Sequence, residues 1–215
     1  MAAVQVPGAA RSARSRPPEP ADRIRAAKAA LRAVIRREQR MRSDEERRTA
    51  ACGLRDVFLE LPHLRWVGRV VLYEPRDGQI DTRPLRIALA ARGIPVLFPT
   101  ITLAGGVSWR VDTMALPGAP SSGTEPGEPG RWSGCGQNGA IVLVPAMAVD
   151  TLGRRLGRGC DGYDRFLREI GPSTLVLCGV DDSGVFDAAV EPVPAEAHDM
   201  PVDAVITPSH LLYLH

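Results

Sequence analysis

Ten residues from Arg155 to Asp164 have the composition of an anion-binding loop. The segment contains three glycines and two arginines and ends on an aspartate. Glycine leaves backbone amides accessible, and guanidinium groups together with a carboxylate suit a polyphosphate and its Mg²⁺. A Walker loop would carry Gly-Lys-Ser/Thr, and a dinucleotide fold places its glycine motif after the first strand, whereas this loop follows a late one. The residues alone therefore predict an anion site of another kind.

The composition is typical of one α/β domain. The chain has 215 residues, of which 44% are hydrophobic and 24% charged, and its formal net charge is +2. This length supports a single core, and the near balance of charge does not favour nucleic acid or a membrane surface as a partner. No apolar run approaches transmembrane length, and the first ten residues lack the features of a signal peptide. We therefore expect a cytoplasmic protein; a monomer is expected as well.

The spacing of the cysteines indicates reduced thiols and does not favour a disulfide framework or a zinc site. No CxxC pair is present, and the four cysteines are scattered at Cys52, Cys135, Cys160 and Cys178. A nucleophilic role for Cys160, which lies within the glycine-rich segment, is disfavoured because no histidine is near it in the sequence.

The amino-terminal part of the chain predicts an arm followed by two helices. Residues 1–21 are rich in Pro, Arg, Ser and Ala without a hydrophobic period, so they are predicted to be disordered, and residues 22–215 are predicted to form the single domain. From Asp22, apolar residues recur at helical spacing. Ser43 and the three acidic residues after it predict the start of a second helix, which stops at Pro62.

The rest of the chain alternates between strands and helices. Strands are predicted over 67–73, 94–98, 141–144, 175–179 and 204–207, and helices over 82–92 and 164–170. Pro99 is expected to end the second strand, and Gly93 to close the helix before it. The order predicts a mostly parallel sheet with helices on both faces and ligands at the carboxyl ends of the strands. Residues 117–139, rich in Gly, Pro and Ser, predict a long loop that is either an active-site flap or a plain insertion.

Three separated motifs follow one another in a recognisable order. The first is Lys28-x-x-x-Arg32 on the opening helix. The second is Asp150-x-x-Gly153-x-Arg155-Leu156-Gly157-Arg158-Gly159, followed by Tyr163-Asp164. The third is His198-Asp199-Met200-x-Val202-Asp203. Through these motifs the chain, from about Ala26 to Pro208, resembles the 5-formyltetrahydrofolate cyclo-ligase family, also called methenyltetrahydrofolate synthetases.

The resemblance implies both a fold and a reaction. The implied fold is a three-layer α/β/α sandwich with a mostly parallel sheet, similar to certain sugar-phosphate isomerases and CoA transferases. The implied reaction is the ATP-dependent closure of 5-formyltetrahydrofolate to 5,10-methenyltetrahydrofolate through a phosphorylated formyl group, which gives ADP and phosphate. Such phosphoryl transfer needs charge neutralisation and alignment more than covalent help. Mg²⁺ is implied as the cofactor and ATP as the co-substrate.

The resemblance also implies the roles of individual residues. The predicted ATP-binding residues are Lys28, Arg32, Arg155, Leu156, Gly157, Arg158, Gly159, Gly162 and Tyr163, with Lys28 and Arg158 also catalytic. The predicted Mg²⁺ ligands are Asp164 and Asp199. Folate is predicted to contact Glu74 and Gln79, with Tyr73 and Trp109 flanking the pterin. Each set has a plainer alternative: a solvated basic helix face, a glycine-rich turn, a helix-capping acid, or an aromatic residue of the core.

Two departures from the family pattern motivate a second hypothesis. The segment Cys160-Asp161-Gly162 replaces a glycine and an aromatic residue of the family motif, and Gln79 stands where the family has glutamate. An added carboxylate beside a phosphate site repels ATP. The alternative is therefore a weakened relative that binds nucleotide or folate as a sensor or sequestering protein. A sugar-phosphate isomerase is a third hypothesis, based on fold analogy alone.

Overall fold

The computed structural model describes residues 19–101, 107–112, 139–159, 162–170 and 174–214. Ten strands lie in these ranges: β1 (Arg69–Val71), β2 (Val96–Ile101), β3 (Val107–Val111), β4 (Ala140–Pro145), β5 (Ala148–Asp150), β6 (Arg155–Leu156), β7 (Thr174–Gly179), β8 (Val185–Phe186), β9 (Ala204–Ile206) and β10 (Leu211–Tyr213). Seven of them form the main sheet, in the order β10-β9-β7-β4-β1-β2-β3. Its five central strands are parallel, and β3 and β10 pair antiparallel at its two edges.

In the described ranges four α-helices accompany the sheet: α1 (Pro20–Met41), α2 (Asp44–Leu59), α3 (Arg83–Ala91) and α4 (Gly162–Glu169). The second helix begins with a capping box, in which the Ser43 hydroxyl accepts from the amide of Glu46 and the Glu46 carboxylate accepts from the amide of Ser43. Gly93, at a φ of +68°, follows α3 as predicted. None of the helices in the described ranges is long and apolar enough to cross a membrane.

The two faces of the sheet pack against different helices. Alternate residues of a strand point to opposite faces. Leu72 therefore joins a core cluster with Leu54 of α2 and Leu85 of α3, whereas Val71 joins a second cluster with Phe166 of α4. This arrangement confirms the predicted sandwich with helices on both faces of a mostly parallel sheet.

The prediction that Pro99 ends the second strand is wrong. Pro99 lies within β2 and is the register partner of Trp109 on the edge strand β3. The Leu97 carbonyl accepts from the amide of Leu72 on β1, so the backbone groups of Pro99, two residues further on, point to the same side. By that point β1 has already ended at Val71. The missing N–H of proline therefore costs no ladder hydrogen bond.

A second, three-stranded sheet, not predicted from the sequence, holds the glycine-rich segment. It has the order β6-β5-β8. At the turn from β5 to β6, the buried carboxylate of Asp150 accepts hydrogen bonds from the Arg154 backbone amide (3.1 Å) and guanidinium (2.7 Å) and from the Val193 amide (3.0 Å). Gly153 has a φ of +77°, and a Cβ there would lie 2.7 Å from the carbonyl oxygen of Val202. The turn therefore requires glycine at this position.

Candidate active site

A cavity of about 270 Å³ brings residues of all three sequence motifs together. It opens where α1, the segment after β6, the start of α4 and residues 196–199 meet. The residues that line it are Arg25, Lys28, Arg32, Arg155, Leu156, Gly157, Gly159, Asp164, Glu196, His198 and Asp199. Eight of these were predicted as ATP or metal contacts. The helical spacing of Lys28 and Arg32 therefore places both on the face of α1 that points to the cavity.

Lys28 is the most tightly held residue of the cavity wall. Only 5% of it is exposed, and its Nζ donates to Asp199 Oδ2 at 2.5 Å and to Glu196 Oε2 at 2.9 Å. Burial alone would lower the pKa of this amine, but the hydrogen bonds and charges of the two carboxylates outweigh it and raise the pKa. Lys28 is therefore a fixed cation at the base of the cavity.

Arg32 holds the glycine-rich segment against α1. Its Nε donates to the carbonyl oxygen of Gly157 at 2.8 Å. Gly159, two residues later, has a φ of +108°, and a Cβ there would lie 3.8 Å from the Arg32 guanidinium carbon. Arg36, one helical turn beyond Arg32, donates to the carbonyl oxygen of Arg158 at 3.4 Å. The basic face of α1 thus fixes the backbone that a polyphosphate would approach.

Arg155 and Asp164 pair with each other inside the cavity wall. Arg155 Nη2 lies 2.8 Å from Asp164 Oδ1, which also accepts the amide of Met200 at 3.0 Å. Arg155 is 5% exposed, and its Nε has no hydrogen-bond partner among the described residues. The predicted phosphate contact and the predicted metal ligand are therefore joined before any ligand binds.

Four predicted ATP contacts hold other positions around the cavity. Leu156 is fully buried in a small cluster with Ile35, so that only its backbone is available to a ligand. Arg158 does not line the cavity; its Nη1 donates to the carbonyl oxygen of Asp77 in the loop after β1. Gly162 and Tyr163 begin α4, and the Tyr163 ring packs edge-on against Phe166 at 6.4 Å.

Glu196, His198 and Asp199 form a group of potential metal ligands. One ligand atom from each lies within 4.8 Å of the others. The carboxyl of Glu196 has a lowered pKa because Lys28 donates a hydrogen bond to it. At Asp199, burial alone would raise the pKa of the carboxyl. The hydrogen bond from Lys28 and the charges nearby outweigh burial, so this pKa is also lowered. Sequence reasoning missed Glu196 and gave His198 a structural role, although both lie within three residues of the predicted ligand Asp199.

Three of the residues predicted to contact folate have described side chains, and Tyr73, Glu74 and Gln79 lie in different surroundings. Tyr73 is 1% exposed, and its hydroxyl donates to the carbonyl oxygen of Ile80 at 2.9 Å. The prediction that Tyr73 flanks the pterin is corrected, because its ring lies in the core cluster that also contains Leu54 and Leu85. Glu74 is exposed and pairs with Arg110. Trp109 lies on the edge strand β3, and its side chain is outside the described residues.

Gln79 lines a second, larger cavity. This cavity of about 860 Å³ lies between α2 and the loop of residues 75–81. The Gln79 side chain accepts from the backbone amide of Arg76 at 2.8 Å, which shapes the loop. Gln39 of α1 lines the same cavity. Since α1 also carries Lys28, one helix borders both cavities.

The chain is similar to known proteins in its sequence and in its fold. The model of the 5-formyltetrahydrofolate cyclo-ligase family matches residues 24–208. A curated 5-formyltetrahydrofolate cyclo-ligase of Mycolicibacterium smegmatis (strain ATCC 700084 / mc(2)155) is 43% identical over 68 residues. This alignment covers 32% of the chain and 33% of the relative, so only a third of that protein's length is matched.

Two solved structures share the fold. The NMR structure of Aquifex aeolicus 5,10-methenyltetrahydrofolate synthetase has a TM-score of 0.68 and 26% identity, over 87% of this chain and 93% of that chain. The 5,10-methenyltetrahydrofolate synthetase from Mycoplasma pneumoniae has a TM-score of 0.65 over 84% of this chain and 98% of that chain, and at 17% identity it supports the fold alone. Since the family model spans all three motifs around the smaller cavity, the chain belongs to the 5-formyltetrahydrofolate cyclo-ligase family.

Proposed function

We propose that this protein catalyses the ATP-dependent cyclisation of 5-formyltetrahydrofolate to 5,10-methenyltetrahydrofolate. The observation that supports this function is the cavity in which Lys28, Arg32 and the glycine-rich segment meet the carboxylates of Glu196 and Asp199. The basic side chains and backbone amides suit the phosphates of a nucleoside triphosphate, and the carboxylates suit its metal ion. The described residues that line the cavity include no serine, threonine or cysteine, which agrees with direct phosphoryl transfer between the substrates.

The reaction needs two displacements. The formyl oxygen attacks the γ-phosphorus of ATP, and the bond from that phosphorus to the β-phosphate oxygen breaks to release ADP. The second folate nitrogen then attacks the formyl carbon and loses its proton, the carbon–oxygen bond breaks, and phosphate leaves with the bonding electrons. Charge develops on the transferring phosphoryl group and on the departing phosphate. The protein's task is to neutralise that charge and to align the two substrates.

The basic residues supply this neutralisation in the proposed mechanism. Lys28 and Arg32 approach the phosphates from α1, and the backbone between Gly157 and Gly159 offers amides to phosphate oxygens. Arg158 turns from the Asp77 carbonyl towards the γ-phosphate when substrates bind. Arg155, held by Asp164, presents its remaining Nε–H to an anion. Arg32 and Arg155 are already held by hydrogen bonds to Gly157 and Asp164, so these two donors need little reorganisation in the transition state.

The residues present fit a divalent cation. Asp199 would hold it with help from its neighbours, and a bound Mg²⁺ would neutralise charge on the phosphates. Asp164 keeps one oxygen, Oδ2, without a hydrogen bond within the described part of the chain, and its role as a second ligand stays a prediction. The monomeric state and the cytoplasmic location expected from the sequence also stay predictions.

A direct assay tests the proposed function. The purified full chain, mixed with 5-formyltetrahydrofolate, ATP and Mg²⁺, is expected to form the methenyl product, followed by its near-ultraviolet absorbance. Omission of ATP should abolish the signal. Arg40→Ala, which removes an exposed arginine at the end of α1, is the control and should leave turnover unchanged. Absence of product across a broad range of substrate concentrations would contradict the proposal.

A further inference from the structure

Among its described residues, the larger cavity is lined by one buried carboxylate, that of Asp181. The other carboxylates in its wall are Asp44, Asp77 and Asp81. Asp44 and Asp77 are exposed, and Asp81 is held by Arg83, whose Nε donates to Oδ1 at 3.0 Å and to Oδ2 at 2.8 Å. Asp181 is 8% exposed. Water solvates it poorly, so its charge depends on hydrogen-bond donors in the cavity wall or in a ligand.

The protein satisfies the carboxylate of Asp181 only in part. Asp181 directly precedes a short 3₁₀ turn, Asp182–Gly184, but its side chain does not cap that turn, which is a common role of aspartate at such a position. Its Oδ1 pairs with Arg42 Nη1 at the end of α1. Within the described part of the chain, Arg42 is the one side chain that donates to it. Since a carboxylate has about four lone-pair sites, acceptor capacity is left for a ligand.

The two cavities are connected along α1. Arg36 donates to the carbonyl oxygen of Arg158, and Arg158 donates to that of Asp77, which lines the larger cavity. Arg42, which pairs with Asp181, follows Arg36 by six residues, or about 9 Å of helical rise. This separation suits a two-ring heterocycle. A pterin with its formyl group near Arg158 would therefore have its opposite edge near Asp181.

That opposite edge of a pterin carries two adjacent donors, the ring N3–H and the 2-amino group. A carboxylate accepts such a pair through charge-assisted hydrogen bonds. Gln79, a predicted folate contact in the same cavity, is neutral, and its side-chain oxygen already accepts from the Arg76 amide at 2.8 Å. We propose that Asp181 recognises the pterin ring, with its carboxylate accepting both the N3–H and the 2-amino group of 5-formyltetrahydrofolate. This inference rests on the proposed function, because it concerns the substrate of that reaction.

The electrostatics of Asp181 agree with such a ligand. Burial raises the pKa of its carboxyl, and the hydrogen bond and charge of Arg42 offset only part of this effect. Two N–H donors from a ligand would favour the charged form that burial disfavours. At the rim of the same cavity, Arg48 and Arg76 are exposed, and their charges suit the carboxylates of the glutamate tail.

Two ligands that differ in one group test the contact. The binding of 5-formyltetrahydrofolate to the full chain, without ATP, is measured by isothermal titration calorimetry. Its 2-desamino analogue, in which hydrogen replaces the amino group, is measured beside it. The wild type should bind the analogue about tenfold or more weakly than the parent, because a charge-assisted hydrogen bond is lost. Equal affinities, or no binding of either ligand, would overturn the assignment.

The variant Asp181→Asn locates the discrimination. It keeps the size of the side chain and removes its charge, so the affinity for the parent should fall by about tenfold. The ratio of the two affinities should shrink towards one, whereas a purely structural change would weaken both ligands equally. Asp44→Asn removes an exposed carboxylate from the same cavity and should keep the wild-type ratio. An unchanged ratio in Asp181→Asn with native circular dichroism would overturn the contact.

A measurement on the wild type applies even if Asp181→Asn does not fold. Substrate labelled with ¹⁵N at N3 reports its own N3–H by nuclear magnetic resonance. In the complex this proton should move downfield and exchange slowly with water, because a buried carboxylate accepts it. A proton that exchanges as it does in the free substrate would contradict the contact. The outcomes are separable from the proposed function: discrimination without methenyl product would contradict the reaction alone, and methenyl product with equal affinities would contradict this inference alone.

Discussion

Arg155 and Asp164 form an ion pair within the wall of the smaller cavity, with Arg155 Nη2 2.8 Å from Asp164 Oδ1. Both side chains are almost fully buried. A buried pair is costly to break, because removal of one partner leaves an uncompensated charge in a medium of low dielectric constant. The pair therefore has a structural role in addition to the proposed ligand contacts.

Asp164→Asn should destabilise the protein strongly. The change leaves the Arg155 guanidinium buried without its counter-charge, so we expect the free energy of unfolding to fall by about 3 kcal/mol or more. Urea denaturation measures this loss. Asp56→Asn is the control, because Asp56 pairs with Arg55 in an exposed position on α2 and should have little effect. Equal effects in the two variants would contradict a structural role for the buried pair.

Arg158→Ala should impair catalysis without a comparable loss of stability. Arg158 is half-buried and its observed partner is a backbone carbonyl, so little of the fold depends on it. If its guanidinium stabilises charge on the transferring phosphoryl group, kcat should fall by about 10²-fold or more. Steady-state kinetics of the variant beside Arg40→Ala make the comparison. Full activity in Arg158→Ala would remove Arg158 from the proposed mechanism.

Tyr73→Phe should change stability and leave folate kinetics unchanged. The variant loses the buried hydrogen bond to the Ile80 carbonyl, so the free energy of unfolding should fall by about 1 kcal/mol. The KM for 5-formyltetrahydrofolate should stay at the wild-type value, because the ring faces the core. A raised KM with unchanged stability would return Tyr73 to the substrate site.

Asp181 should make stability depend on pH. Burial raises the pKa of its carboxyl above the ordinary value of 3.8, and the Arg42 guanidinium offsets only part of this effect. A raised folded-state pKa means that the native state holds the proton more tightly than the unfolded state. The contribution of Asp181 to stability therefore falls as pH rises above that ordinary value through the folded-state pKa.

The variant Asp181→Asn isolates this effect. The free energy of unfolding of the wild type minus that of the variant should decrease as the pH rises above the ordinary carboxyl value of 3.8. Chemical denaturation at several pH values measures the difference. Asp44 lies at the exposed start of α2 and, like Asp181, lines the larger cavity. Asp44→Asn therefore controls for the loss of a carboxylate near that cavity. A difference that grows with pH would contradict the direction of the pKa shift.

Local signals in the sequence were sufficient to predict many of the helices and strands. The period of α1, the capping box at Ser43 and the position of Gly93 each depend on residues within a few positions of one another, and each was predicted correctly. The β-branched runs predicted the central strands. The edge strands β3 and β10 were missed because they are short and their existence depends on antiparallel pairing with a neighbour, which is a tertiary interaction.

In the candidate site, too, local patterns identify single residues but do not show which of them come into contact. The motif order identified Lys28 and Asp199, but their contact joins residues 171 positions apart. No local pattern shows that Glu196 completes this contact. The reverse error occurred at Tyr73, whose proximity to a predicted substrate loop suggested a ligand contact, whereas its hydroxyl had a carbonyl partner seven residues away.

The turn between β5 and β6 has a mechanical consequence for the site. The Asp150 carboxylate accepts a hydrogen bond from the amide of Val193, and the carbonyl oxygen of Gly153 accepts one from the amide of Val202. The turn is therefore hydrogen-bonded to both ends of the segment that includes Glu196 and Asp199. The glycine-rich segment and the carboxylate segment are thereby connected to the same turn. Their amide protons should exchange with solvent in a single cooperative opening, although some forty residues of chain separate them.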